Sequence, residues 1–426
     1  MKNNTHILLF FFIFIASCYT PNRGRVTYVS PYAPVTEEKK ILKCDILPYS
    51  HSSDSIRLYF ILQGSQLHYQ RNSAGAPLEA NIKFYYQLLK QVNGKYVTCD
   101  SSALFYKDRR KDKAPKELMG FIHLAGKRGY AYKLKLVVSD LHTRGRADKE
   151  YYFSLASANS PFLYLNLSSG EVPSFQPKTF GDSVKLESDA MKNKKLFIRY
   201  YNRNFGTSPP PFSSGKPATF SYRADSVFTY QANEKGKISF RKKGNGFYHV
   251  QLDSTTREGY TIYCLPVGYP SIRSGVQMLD PLLFICSKDE YTGMITKTDH
   301  HKAAEDFWIS RSTTRERARE VIRQFYQRVE EANKEFTSYI EGWRTDRGMV
   351  YIVFGKPGFM QITEFGETWT YRTGMNSESM HFTFRKAENP FTENDYILDR
   401  NMMYKPVWYN AVENWRMGRV YKLNQF

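Results

Sequence analysis

The sequence predicts a mainly β chain with an α+β end. Two β-sandwich (Ig-like) domains stand in series, followed by a small α+β domain with one long helix packed on an antiparallel meander. Three observations predict this. β-rich runs separated by turn residues recur every 12–20 residues in the first part of the chain. After residue 302 the apolar residues switch to spacings of 3 and 4. Short strand-like runs then resume after residue 348.

The elements are justified in chain order. Residues 1–17 have the layout of an export signal, with Lys2 and His6 ahead of the apolar run Ile7–Ala16. Ten residues is about half of the roughly 20 that span a bilayer as a helix. Ile15-Ala16-Ser17-Cys18 resembles a bacterial lipobox, in which the cysteine is acylated, so Cys18 is the expected lipidation site and residues 18–25 a tether. Each buried CH₂ of an acyl chain adds roughly 0.8 kcal/mol of membrane attachment. The expected location is the cell envelope, lipid-anchored, on the outer membrane facing the periplasm.

Residues 26–158 form the first predicted sandwich. Its strand runs include Ile56–Leu62, Asn81–Tyr86, Tyr130–Val138 and Lys149–Phe153, with Asn93-Gly94 and Arg144-Gly145 as turns. The charged run Lys107–Lys113 reads as an exposed hairpin tip. Residues 159–296 form the second, with strand runs Phe162–Leu167, Lys195–Tyr201, Gly246–Leu252, Tyr260–Cys264 and Leu282–Cys286. Ser208–Gly215, with its three prolines, reads as a flexible, extended insertion. Cys44, Cys99, Cys264 and Cys286 remain once Cys18 is set aside, and an exported chain permits disulfides. Pairs Cys44–Cys99 and Cys264–Cys286 would each staple one sandwich, while four cysteines allow three connectivities and free thiols are equally open.

Residues 297–426 form the third domain. Thr313-Thr314-Arg315-Glu316 matches a capping box. Ile322, Phe325, Val329, Ala332, Phe336 and Tyr339 line one helix face, and Gly342 stands where a glycine would close the helix. That makes about 28 residues, or roughly 42 Å. Met349–Phe354, Gln361–Phe365, Thr368–Arg372 and His381–Arg385 are the expected strands, with Gly355–Gly358 and Gly374–Ser377 as turns. Pro406–Gly418 suits a short helix.

Charge narrows the partners. The net charge is +20, of which about +17 lies in residues 18–299. A basic surface near a membrane favours anionic lipid, an anionic glycan or an acidic protein. Export excludes nucleic acid.

The joint Gly342-Trp343-Arg344-Thr345-Asp346-Arg347-Gly348 is dense in side-chain chemistry. Together with Phe307-Trp308, Arg328–Phe336, Val350-Tyr351-Ile352, Gly355-Lys356-Pro357, Glu367–Tyr371 and Trp408–Gly418, it resembles the GWxTD-domain family of bacterial envelope lipoproteins. The resemblance covers roughly residues 302–418. It implies a lipoprotein with β-domains ahead of the GWxTD module, and brings no cofactor, metal or catalytic residue. Ser312 stands where the resemblance would place an aspartate.

The preferred function is a binding or scaffolding module acting through this domain, with an envelope protein as partner and Trp343, Thr345, Asp346, Arg347, Trp369 and Tyr371 as binding residues. An alternative is an envelope hydrolase of glycan or peptide, with Asp346 and Glu367 as acid and base. Another is a glycan-binding lipoprotein, motivated by 32 Tyr and 30 Phe. No GxSxG, HExxH or Walker A pattern occurs. His300-His301 with Glu305 puts His301 and Glu305 four apart, a spacing that can hold a metal on a helix, but two adjacent histidines at a domain junction read as solvated linker residues.

Overall fold

The computed structural model describes residues 27–29 and 42–421, except 112, 144, 169–171, 176–177, 180–182, 203–204, 215–220, 267, 364 and 373–378. The expected signal, tether and lipidation site at Cys18 lie outside the described residues, as do Arg144 and the Gly374–Ser377 turn.

Strand β1 (Thr27–Val29) pairs far along the chain and is taken up below. The first sandwich holds β2 (Cys44–Ser50), β3 (Ser55–Gln63), β4 (Gln70–Arg71), β5 (Leu78–Val92), β6 (Lys95–Arg110), β7 (Glu117–Ala125), β8 (Ala131–Asp140) and β9 (Arg146–Ser154). One sheet runs β2-β3-β7; in the other, β5 lies between β6 and β8, with β9 beyond β8 and β4 at the start of β5. The alternation is the cause. Tyr132, Leu134, Leu136 and Val138 of β8 are buried, while Lys133, Lys135 and Val137 between them face outward. Asn93 and Gly94 have φ of 50° and 75°, the two left-handed positions of a tight hairpin turn between β5 and β6. The charged run from Lys107 differs from expectation. Lys107 to Arg110 continue β6, where Lys107 and Arg109 both pair with Glu79 of β5, so only the residues after Arg110 form the connection to β7.

The second sandwich holds β10 (Leu165–Asn166), β11 (Lys178–Thr179), β12 (Ser183–Glu187), β13 (Lys195–Tyr201), β14 (Ser226–Gln231), β15 (Lys237–Arg241), β16 (Gly246–Gln251) and β17 (Tyr260–Cys264). Its sheets run β10-β12-β15 and β11-β17-β16-β13-β14. One apolar cluster continues from Leu42 in the first sandwich to Cys264 in the second.

The C-terminal domain opens with α1 (Gly275–Leu279), α2 (Lys288–Ile295) and α3 (His300–Ile309). Leu282–Cys286, expected as a strand, lies largely in a 3₁₀ turn, Asp280–Phe284, so the helical layer begins at Gly275. A short apolar run cannot be told from a buried helical segment by pattern alone. Helix α4 (Arg315–Phe336) follows, capped by Thr314, whose hydroxyl accepts from Arg317 N, rather than by Thr313. It ends at Phe336, shorter than expected, because Gly342 does not close it: Gly342 starts a separate 3₁₀ turn, Gly342–Arg344.

The largest correction concerns Met349–Phe354. These residues are not a strand but the body of α5 (Asp346–Phe354). Met349, Val350, Ile352, Val353 and Phe354 are each no more than 2% exposed, so the helix is apolar on nearly every side and shows no amphipathic period. Gly355, with φ of 84°, ends it. The buried Arg328 guanidinium donates to the carbonyls of Ile352 and Val353 at that end, both at 3.1 Å.

The meander then follows: β19 (Gly366–Arg372) and β20 (Ser379–Lys386) stand where strands are expected, β18 (Phe359–Ile362) begins and ends earlier than Gln361–Phe365, and β21 (Tyr396–Leu398) is a strand that the sequence pattern does not suggest. Strand β1 adds to its edge, antiparallel to β18, with Thr27 opposite Ile362. Helix α6 (Lys405–Arg416) closes the domain with Pro at its start and Gly418 at φ 64° after its end. Trp308, Phe325 and Trp415 meet at ring separations of 5.1–6.3 Å and fasten α3, α4 and α6 together.

The four cysteines are free thiols rather than disulfides. Cys44 and Cys264 are buried, and burial pushes both up to about 12. Cys99 is exposed on β6, and its thiol donates to Leu88 O within its own hairpin. Cys44 belongs to the other sheet of that sandwich.

Candidate functional site

The joint is built from the close approach of three backbone segments. A Cβ on Gly342 would lie 2.0 Å from Ala332 O on α4, and one on Gly348 would lie 2.0 Å from Gly342 O. Only hydrogen fits at both places. The turn between α4 and α5 is thereby pressed against α4.

Each side chain of the joint then has an internal task. Trp343 is buried, 6.0 Å from the Phe284 ring, and its indole N–H donates to Glu341. Its backbone N–H donates to buried Asn333 Oδ1 at 3.0 Å, and Asn333 Nδ2 donates to Pro270 O. Thr345 caps α5: its hydroxyl accepts from Gly348 N at 3.0 Å and donates to Gly342 O at 2.8 Å.

Asp346 is the first residue of α5 and the centre of the site. Its carboxylate accepts from Leu398 N on β21 at 2.7 Å, from Ser208 Oγ at 2.7 Å, and from both terminal nitrogens of Arg400. Arg400 also donates to Pro209 O, Ser208 N donates to Arg344 O, and Asn401 N donates to Pro211 O. The segment expected to be a flexible insertion is therefore, through Ser208–Pro211, a strap from the second sandwich bonded to the joint. A carboxylate at a helix N-terminus gains further from the helix dipole.

Arg347 runs the other way. It donates to Glu367 Oε1 at 2.9 Å and to Asn394, and lies 3.9 Å over the Tyr396 ring. Burial pulls its pKa below the usual value while the Glu367 charge opposes that. Glu367 also accepts from Trp369 Nε1 at 2.9 Å, and Asn394 Nδ2 donates to Thr337 O, beyond the end of α4. Tyr371 donates to Gly355 O at 2.8 Å.

The six residues expected to bind a partner, Trp343, Thr345, Asp346, Arg347, Trp369 and Tyr371, are all buried, none above 8% exposed. The structure brings them together as an internal joint, which corrects the reading of these side chains as a contact surface. Asp346 and Glu367 are likewise not a facing acid–base pair. Each is held by its own arginine, in ion pairs whose side chains are at most 10% exposed. His301 and Glu305 are exposed on α3. Among the described residues no group of three His, Cys, Asp or Glu is arranged to hold a metal, and no helix is long and apolar enough to cross a membrane.

Sequence reasoning missed Ser208, Arg400, Asn394, Asn333 and Tyr269. Tyr269 accepts from Gly342 N through its hydroxyl, which donates toward α4 at Asn333 O. No local pattern announces these residues. The Ser208–Asp346 bond spans 138 positions.

Residues 246–417 match the model of the GWxTD domain. A stretch of 78 residues is 32% identical to Bombyx mori vitellogenin, covering 18% of this chain and 4% of that protein. Partial likenesses to solved structures include red sea bream transglutaminase, with TM-score 0.19, 10% identity and coverage of 53% of this chain and 31% of that one. A Salmonella alpha-2-macroglobulin mutant gives 0.19, 13%, 51% and 16% in the same order. The major pilin subunit of Bacillus cereus gives 0.15, 11%, 49% and 58%.

Proposed function

Since the chain carries a GWxTD domain over residues 246–417, we propose that it is a lipid-anchored scaffold of the bacterial envelope whose GWxTD joint is an internal latch. The latch holds the second sandwich on the C-terminal domain, and a partner protein reads the outer surfaces of the unit so formed. One observation carries this reading. The Asp346 carboxylate binds Ser208 of the sandwich strap, Leu398 of the sheet and Arg400 at once, and has no face left for a ligand.

Acylation of Cys18 would hold this unit on the outer membrane, facing the periplasm. The Cys18→Ala protein is then expected in the soluble fraction of cells, and its retention in membranes would remove the anchor. In-cell crosslinking of the tagged protein is expected to capture a defined set of envelope proteins. That set should shrink with Asp346→Asn, which loosens the strap while leaving the outer surfaces unchanged. Capture of no defined protein would count against a scaffold.

One observation favours a second reading, binding to an anionic glycan. The outer face of the β6-β5-β8-β9 sheet exposes Phe105, Tyr85 and Tyr152, with Lys83 lying 5.8 Å from the Phe105 ring and Lys133 5.1 Å from the Tyr152 ring. Rings interleaved with lysines suit a sugar polymer bearing negative charge. Retention on an anionic polysaccharide column, lost in Phe105→Ser/Tyr152→Ser, would move this reading ahead of the scaffold.

A further inference from the structure

A second site lies away from the joint. A cavity of about 210 Å³ opens beside the β16–β17 connection, where Arg199, Gln251, Ser254 and Arg257 meet Tyr222 and Phe391. Phe391 belongs to the C-terminal domain, and its carbonyl accepts from Tyr263 of β17, so the cavity sits where the two domains touch.

The connection is held in shape from below by buried polar groups. Gln251 is 1% exposed, and its amide donates to Thr256 O at 2.7 Å and Glu258 O at 3.0 Å. His249 is equally buried, with Nε2 2.9 Å from Arg257 O and Nδ1 2.8 Å from the Thr261 hydroxyl. A carbonyl only accepts, so Nε2 carries the proton. Burial holds the ring's pKa down to about 4, so near neutral pH the ring is uncharged and Nδ1 accepts from the Thr261 hydroxyl.

What faces the cavity is one-sided. Arg199 spends Nε on Gln251 Oε1 and Nη2 on Ser254 O, at 2.8 and 3.1 Å, which leaves Nη1 uncommitted. Arg257 lies 4.1 Å over the Tyr222 ring, so its guanidinium is fixed in direction. Neither arginine has an ion pair among the described residues, and no carboxylate lines the cavity. The two nearest acids in sequence are turned to other partners: Asp253 accepts from Thr255, and Glu258 accepts from Ser157. The uncommitted groups are Arg199 Nη1 and the Arg257 fork, which only donate, and the Ser254 hydroxyl, which can also donate. Two arginines held without counter-charge on a rigid polar floor form a receptor for an anion.

We propose that this cavity binds a small organic carboxylate, either a free acid or a single uronic sugar ring. Its volume is below the roughly 300–1,000 Å³ of sites for drug-sized molecules, which limits the ligand to that size. The carboxylate would lie between Arg199 and Arg257, with Ser254 donating to a substituent. The scaffold reading does not depend on this site.

The test is calorimetric titration of the detergent-solubilised full-length protein with glucuronate, glucose, acetate and inorganic phosphate. Saturable binding of glucuronate is expected, with none by glucose at the same concentration. Acetate binding as tightly as glucuronate would assign the free acid as ligand, and weaker acetate binding would assign the sugar ring. Arg257→Gln should weaken binding by at least about tenfold, from the loss of a charge-assisted hydrogen bond. Arg257 is exposed, so this variant folds, and its melting temperature checks that. Arg199→Lys should weaken binding less than Arg199→Gln. Absence of saturable glucuronate and acetate binding, phosphate binding more tightly than both, or unchanged affinity in Arg257→Gln would each overturn the proposal.

Discussion

The joint and the polar cavity both use paired arginines, and they use them in opposite ways. At the joint, Arg347 is buried against Glu367 and also donates to Asn394, while Arg400, its side chain 10% exposed, pairs with Asp346 and also donates to Pro209 O. At the cavity, Arg199 and Arg257 are partly open to solvent and have no carboxylate within the described structure. A buried arginine must find its acceptors inside the fold, a carboxylate as for Arg347 or backbone carbonyls as for Arg328, because an uncompensated charge in the interior is strongly destabilising. A rim arginine can take its counter-charge from solution. The motif richest in charged chemistry is thus structural, while a loop with no recognisable motif has the open valences.

The sharpest way to break this contrast is to remove a counter-charge at the joint. Asp346→Ala leaves Arg400, whose side chain is only 10% exposed, without its counter-charge, and should lower the unfolding free energy by about 3–5 kcal/mol. A loss below about 1 kcal/mol by denaturant titration would mean that the latch holds little.

Next in size is a pH effect from the floor of the cavity. His249 is held at about 4 in the folded chain, against an ordinary 6.5. The unfolded chain therefore binds the extra proton between those values, and stability rises with pH there. The contribution is complete above about pH 6.5 and is lost as pH falls toward 4, by on the order of 3 kcal/mol. Chemical unfolding across that range, with His249→Gln as the flattened control, measures it.

Thr345→Ala should destabilise by about 1 kcal/mol through loss of the α5 cap, with Thr345→Ser recovering most of it in the same titration. The smallest effect sharpens the contrast from the other side. Arg257→Gln should change stability by no more than about 0.5 kcal/mol, as expected for a surface position.

How far the fold was legible depended on whether the signal was local. Alternation in β8, the Asn93-Gly94 turn, the α4 stripe and the Pro-to-Gly span of α6 each state their structure within a few residues. Met349–Phe354 did not, because a helix buried on nearly all sides has the same continuous apolar run as a buried strand. The deciding residues stood just before it, where Thr345 caps and Asp346 starts a helix. The joint itself was legible as a dense turn, but its partners were not. Ser208 reaches Asp346 from a proline-rich segment and Arg400 from beyond β21, so nothing in their own neighbourhoods marks them. The cysteines misled for the same reason: their even number suggests pairs, but Cys44 and Cys99 lie on opposite sheets of their sandwich.

The most direct test of the latch is a double-mutant cycle between Ser208→Ala and Asp346→Asn, read by the unfolding free energy of the full-length protein. Direct contact through the strap predicts a coupling of about 1 kcal/mol, within the roughly 0.5–3 kcal/mol found for interacting pairs. Additivity within about 0.3 kcal/mol would contradict it. The strap would then merely lie beside the joint, and the joint would not be what fixes one domain on the other.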